Sequence, residues 1–190
     1  MRIGIIGTGQ IGGTLARRFT ALGHQVFVAN SRGPASLADL ARESGATPVS
    51  VSEAAHSGDV VIVTIPEKNI PHLPADLFAG VPDSVVVVDT GNYYPQQRDG
   101  RIDGIEAGAT ESRWVAQQLG RPVVKAFNNI YAQHLMDFGK PADSENRQTR
   151  KNRLQCEMSA GVWNCESSDR IKGCDGTCIH AGDSLAGVAG

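Results

Sequence analysis

The chain has 190 residues, a formal net charge of −2 and 41% apolar side chains, enough for one ordinary domain with a sizeable core and little for a second. With 18 Lys and Arg against 20 Asp and Glu, no basic stripe marks a nucleic-acid surface. No apolar run approaches the ~20 residues that span a bilayer, and the N-terminal apolar run is one strand long without a cleavage site, so a cytoplasmic protein with no membrane partner is expected.

Ile3, Ile5 and Ile6 predict a short first strand, and Gly7-Thr8-Gly9-Gln10-Ile11-Gly12 follows it directly. Gly-x-Gly-x-x-Gly between a strand and a helix is the dinucleotide-binding spacing. Gly7 permits the tight turn, Gly9 lets the backbone approach a pyrophosphate, and Gly12 lets helix and strand pack closely. The phosphates are expected on the helix N-terminus, where free N–H groups favour an anion. The context supports the motif: Ile11, Leu15, Phe19 and Leu22 share one helical stripe, Gly23 ends the helix, and Gln25 to Ala29 gives the second strand.

The end of that second strand bears on cofactor choice. An NAD site uses an Asp or Glu there for the ribose 2′-hydroxyl, whereas an NADP site uses neutral donors and a cation for the 2′-phosphate. Here the position reads Asn30-Ser31-Arg32. A hydroxyl and a guanidinium bind a phosphate that a carboxylate would repel, so NADP(H) is the expected cofactor.

Gly33-Pro34 opens the next helix, with Leu37, Leu40 and Ala41 on its buried face and Gly45 at its end. Thr47 to Val49 is a short strand, and Ser50-Val51-Ser52-Glu53 has the spacing of a capping box for a brief helix. Asp59 to Ile65 is an unbroken apolar run, the signature of a strand covered on both faces, and Pro66 ends it. The proline-rich stretch to Val81 can hold only short helical turns. Ser84 to Asp89 is a fifth strand, Pro95 to Ala109 a surface loop, Glu111 to Leu119 a helix, and Pro122 to Phe127 a sixth strand before a helix from Ile130 to about Phe138. Strands alternating with helices, with the glycine turn after the first, describe an α/β protein with a Rossmann-type doubly wound, mostly parallel sheet. Ligands in such sheets bind outside the carboxyl ends of the strands, which singles out Ile65-Pro66, Thr90-Gly91-Asn92 and Phe127-Asn128-Asn129. No catalytic acid, base or nucleophile is singled out. Asp89, Lys125 and His134, the titratable residues nearest the strand ends, are expected to serve as a loop hydrogen bond, an orienting contact and a helix surface.

Residues 1 to about 145 resemble the NADPH:coenzyme F-420 oxidoreductase family, the small F-420-dependent NADP reductases. The resemblance is carried by Ile6-Gly7-Thr8-Gly9-Gln10-Ile11-Gly12, Asn30-Ser31-Arg32, Ile65-Pro66 and Val124-Lys125-Ala126-Phe127-Asn128. It implies hydride transfer between NADP(H) and a 5-deazaflavin stacked against the nicotinamide, or a flavin or other ring acceptor in cells that make no F-420. Thr8, Gln10, Ile11, Ser31 and Arg32 would hold NADP, Ile65 and Pro66 would border the nicotinamide, and Asn128 would face the second ring. A homodimer is implied by the family. Such chemistry needs face-to-face placement more than acid–base groups, because the cofactors supply the electronics.

The composition changes near Lys140. The expected organisation is therefore an NADP-binding domain over residues 1–145 and an atypical, irregular, poorly ordered tail over 146–190. All four cysteines, Cys156, Cys165, Cys174 and Cys178, lie in that tail, spaced Cys-x8-Cys-x8-Cys-x3-Cys. Structural zinc sites use closer pairs, and only the last two cysteines qualify, so no metal site is expected. Family resemblance lapses near Arg147, returns at Ala181-Gly182-Asp183-Ser184-Leu185-Ala186 and is lost again, the pattern that small coding insertions or deletions produce. A frame-shifted tail leaves a second reading, an NADPH-binding or redox-sensing module that does not turn over. A hydroxyacid or pyrroline-carboxylate type of dehydrogenase is set aside, because nothing after Phe138 can form the helical second domain such enzymes use.

Overall fold

The computed structural model describes residues 1–137 and the two segments 154–159 and 162–167. In chain order the strands are β1 (Arg2–Ile6), β2 (Gln25–Ala29), β3 (Thr47–Pro48), β4 (Val60–Val63), β5 (Val86–Asp89), β6 (Val124–Lys125), β7 (Leu154–Ser159) and β8 (Val162–Ser167). The α-helices are α1 (Gln10–Ala21), α2 (Ala38–Ser44), α3 (Val51–Ser57), α4 (Asp103–Glu106), α5 (Glu111–Leu119) and α6 (Ala132–Asp137).

The first six strands are all parallel and lie in the order β3-β2-β1-β4-β5-β6. This is the doubly wound order, and its direction of winding reverses between β1 and β4. The central strands are apolar in both directions because helices cover both faces. On β1 and β4, Ile3, Ile5, Val60 and Ile62 point to one face, where they meet Leu15 and Ala16 of α1, Leu40 of α2 and Leu135 of α6. Ile6 and Val61 point the other way, toward Ala54 and Ala55 of α3. Val63 and Val87 join that second face around Trp114 and Val115 of α5.

Local chemistry explains most element boundaries. At α3 the Ser50 hydroxyl accepts from the Glu53 N–H while the Glu53 carboxylate accepts from the Ser50 N–H, completing the expected capping box. Gly45 and Gly120 end α2 and α5 in the left-handed conformation. Glu67–His72 forms only a 3₁₀ turn, as its prolines dictate.

Three boundaries differ from expectation. The sixth strand, expected from Pro122 to Phe127, pairs only at Val124–Lys125, because Phe127 turns to φ +64° and leaves the extended conformation. The stretch expected as loop from Pro95 to Ala109 contains a single helical turn at Pro95–Asp99 and the short α4. Both are held by Asp99 and Tyr93 contacts that periodicity does not encode. Within the segment read as an irregular tail, β7 and β8 form an antiparallel hairpin, and β8 joins the sheet beside β6 through Val124 and Trp163. The cysteine side chains and the recovered stretch from Ala181 lie outside the described residues. Among the described residues, no helix is long and apolar enough to cross a membrane.

Candidate functional site

The glycine turn has the geometry its sequence demands. Gly7 adopts φ +102°, and a Cβ on it would lie 2.3 Å from the Thr64 carbonyl oxygen, so neither the turn nor the close approach to the tail of β4 admits a side chain. A Cβ on Gly12 would lie 2.0 Å from the Gly7 carbonyl oxygen, which is the close helix–strand packing expected of the third glycine. Gly9 caps α1 with no side-chain hydrogen bond, and a Cβ there would meet no atom within 4 Å. Space is therefore open directly over the free N–H groups of the helix.

Beside this turn lies a cleft of about 630 Å³ whose lining includes Thr8, Gly9, Gln10, Arg17, Arg32 and Ser36, with Tyr131 and Met136 of the α6 segment closing the far side. The β2 tail is shaped by Asn30. Its side-chain oxygen accepts from the Arg32 N–H at 2.9 Å, and its side-chain nitrogen donates to Ser36 Oγ at 2.9 Å. Asn30 thus sets the loop that presents Ser31 and Arg32, both exposed. Ile11, expected with the fingerprint, packs its partly buried side chain against the α1-face core, so its contribution at the turn is the backbone.

The tails of β4, β5 and β6 form a second and different place. Lys125 of β6 is 2% exposed, and its Nζ lies 2.8 Å from Asp89 Oδ2, 3.1 Å from Glu111 Oε2 and 3.4 Å from Glu67 Oε1. A buried ammonium needs such partners. Burial, then the Asp89 carboxylate and also Glu111, push the Glu67 carboxyl up to about 7 against the pull of Lys125. Lys125 is itself held above the ordinary lysine range: burial opposes its charge, but Asp89, Glu67 and Glu111 outweigh that. The other Asp89 oxygen accepts from the Gly91 N–H at 2.8 Å. Asn92 donates to the Asn128 carbonyl at 2.8 Å, and Arg98 donates to the Asn92 carbonyl. Tyr94 N–H reaches Asp99 at 2.8 Å, and Lys68 N–H reaches it at 3.4 Å. The three strand tails are therefore cross-tied.

Two buried oxygens in this region, Glu67 Oε2 and Asn128 Oδ1, have no hydrogen-bond partner among the described residues. Asn128 follows Phe127, a non-glycine residue at positive φ, a conformation that costs on the order of 1 kcal/mol or more. A strained residue and an orphaned amide oxygen at a strand tail are the marks of a place shaped for something beyond the chain.

Of the residues singled out in the sequence, Thr8, Gly9, Gln10 and Arg32 come together in the cleft. Ile65, Pro66, Thr90, Asn92 and Asn128 lie at the strand tails and do not line it. Asp89 makes its loop hydrogen bond as expected, Lys125, expected as an orienting contact, is buried against three carboxylates, and His134 sits exposed on α6 against Tyr131. Glu67, Glu111 and Asn30 as a loop organiser were missed. A signal for the first two was present: a lysine inside the apolar run Val123–Ala126 requires buried carboxylates from neighbouring strand ends.

A doubly wound parallel sheet with a Gly-x-Gly-x-x-Gly turn after β1 and a cleft at the β2 tail defines a dinucleotide-binding protein of the Rossmann class. More particularly, residues 2–93 match the model of the family described as "NADP oxidoreductase coenzyme F420-dependent". The chain is 28% identical over 187 residues to the F420-dependent NADP reductase of Methanothermobacter thermautotrophicus, a match covering 91% of this chain and 78% of the relative. That coverage runs past residue 145, into the segment where resemblance was expected to lapse. Among solved structures, the hypothetical protein SMa0349 from Sinorhizobium meliloti is 35% identical, with a TM-score of 0.58 over 74% of this chain and 67% of that one. A proposed F420-dependent NADP-reductase from Arthrobacter sp. fb24 has a TM-score of 0.59 at 20% identity, covering 75% of this chain and 69% of the other, and shows the shared fold.

Proposed function

We propose that this chain transfers a hydride between NADP(H) and a deazaflavin of the coenzyme F420 type, or a comparable flat ring acceptor. The observation that supports the reading is the β2 tail, where Asn30-Ser31-Arg32 contains no Asp or Glu and Arg32 lines the cleft beside the glycine turn. The residues fit such a cofactor. The open space above Gly9 admits a pyrophosphate, the first-turn N–H groups of α1 with Thr8 and Gln10 would hold it, and Ser31 and Arg32 would grip the 2′-phosphate.

When bound, the nicotinamide supplies the hydride or takes it up. The chain's own residues position the ring. Ile65 and Pro66 at the β4 tail would border it, while Thr90, Asn92 and Asn128 would face the space beside it. The orphaned Asn128 Oδ1 is an acceptor suited to a carboxamide N–H. The Lys125 cluster holds these tails in place from below. Residues 1–145 form the cofactor-binding part on this reading, with β8 of the following segment extending its sheet beside β6, and the active species is a homodimer.

The test is an assay with NADPH and coenzyme F420, followed by absorbance loss of both chromophores. Hydride transfer at a rate that saturates with both supports the reading, and no transfer to any deazaflavin or flavin discards it. NADPH binding by calorimetry with no consumption by either acceptor would favour a non-catalytic binding or redox-sensing module instead.

A further inference from the structure

The cleft holds a cation that the fingerprint does not use. Arg17 lies on α1 seven residues beyond Gln10, on the same helical face, and helical side chains lean back toward the N-terminus. Its Nη1 reaches Gly13 so closely that a Cβ there would sit 3.2 Å away. Gly13 stands outside the Gly-x-Gly-x-x-Gly spacing, and its missing side chain leaves the passage through which the guanidinium reaches the cleft. Nη2 of Arg17 donates to Glu43 Oε2 of α2 at 2.6 Å. A planar group with five donors can serve that carboxylate with one edge and present another.

The charge count of the cleft decides what it suits. Two arginines, Arg17 and Arg32, line it together with Thr8, Thr14 and Ser36, and no carboxylate is among the described lining residues. Two guanidiniums facing the cleft, of which only Arg17 is paired among the described residues, to Glu43 outside the lining, favour a dianion, and they match a phosphate monoester rather than a neutral ribose. Glu43, outside the lining, keeps Arg17 oriented.

We infer that Arg17 is a second specificity-determining cation, which together with Arg32 binds the dianionic phosphate monoester of the nucleotide's adenosine end. This rests on the reading of the cleft as the NADP adenosine site. Arg17 contributes affinity for the 2′-phosphate alone, so its removal acts on a nucleotide that carries a 2′-phosphate and spares one that lacks it.

The test is calorimetric titration of the full chain with 2′,5′-ADP and, in parallel, with 5′-AMP. Arg17→Gln is expected to weaken 2′,5′-ADP roughly ten- to a hundredfold, the loss typical of a charged hydrogen bond, while leaving 5′-AMP within about twofold. Arg17→Lys, which keeps the charge without the fork, should lose less and again only for 2′,5′-ADP, and it carries the test if the Gln variant unfolds. Unchanged 2′,5′-ADP affinity, or equal losses for both nucleotides, overturns the inference. Arg32→Gln is read separately: equal effects on both nucleotides there would remove the Arg32 assignment whatever Arg17 does. Failure of the unaltered chain to prefer 2′,5′-ADP would overturn both.

Discussion

The cleft at the β2 tail and the cluster beneath β4, β5 and β6 are built from the same residue types and behave in opposite ways. At the cleft, charged groups are exposed, the loop is held by a few Asn30 bonds, and Arg32 projects outward. Under the strand tails, Lys125, Glu67 and Asp89 are 2% exposed or less and bonded to each other. The first place can discriminate between ligands because Arg32 is exposed there and Arg17 is tied to Glu43 through Nη2 while its residue still lines the cleft. The second can only position, because breaking it exposes uncompensated charge to a medium that solvates it poorly.

Variants should separate the two by what they damage. The largest effect is expected from Lys125→Met, which strands the carboxylates around it. A stability loss of about 3–5 kcal/mol is expected from urea denaturation, and a loss below about 1 kcal/mol would show that the cluster is not a structural knot.

Glu67→Gln probes the same cluster through pH. A raised carboxyl binds its proton more tightly in the folded state. Stability should therefore fall as pH rises from the ordinary glutamate value of 4.5 to about 7, and the loss should be complete above that. Glu67→Gln removes this slope, so its stability relative to the unaltered chain should improve between pH 5 and pH 8 by up to about 3 kcal/mol. A constant difference across that window would contradict the assignment.

On the other side of the comparison, Gly9→Ala should leave the unfolding midpoint within about 2 °C, since its Cβ meets nothing, yet cost about tenfold or more in NADPH affinity. Equal affinity would mean that no pyrophosphate approaches this turn. The smallest effect is expected from Thr110→Ala, which removes the cap that accepts from Arg113 N–H at the start of α5. A loss of about 1 kcal/mol is expected, with nucleotide affinity unchanged.

The two regions were also unequally legible. The fingerprint turn could be read because its signal is local: Gly7 and Gly12 are forced by contacts with the β4 tail and the turn itself, and the motif keeps them at fixed spacing. The six parallel strands followed from apolar runs and their breakers. The ion cluster was not legible as a unit, because Glu67, Asp89, Glu111 and Lys125 are far apart in the chain and only the strand order brings them together. Phe127 shortened β6 for a reason that no propensity carries, a positive φ on an aromatic residue. Asn30 reads as a ligand-facing polar residue in sequence, yet its bonds are spent on shaping its own loop.

The most direct measurement is the ratio of NADPH to NADH affinity before and after Arg32→Gln, by fluorescence titration at fixed salt. The account predicts a clear preference for NADPH that falls roughly ten- to a hundredfold in the variant, with NADH affinity little changed. Equal affinities in the unaltered chain, or a preference that survives the substitution, would contradict it.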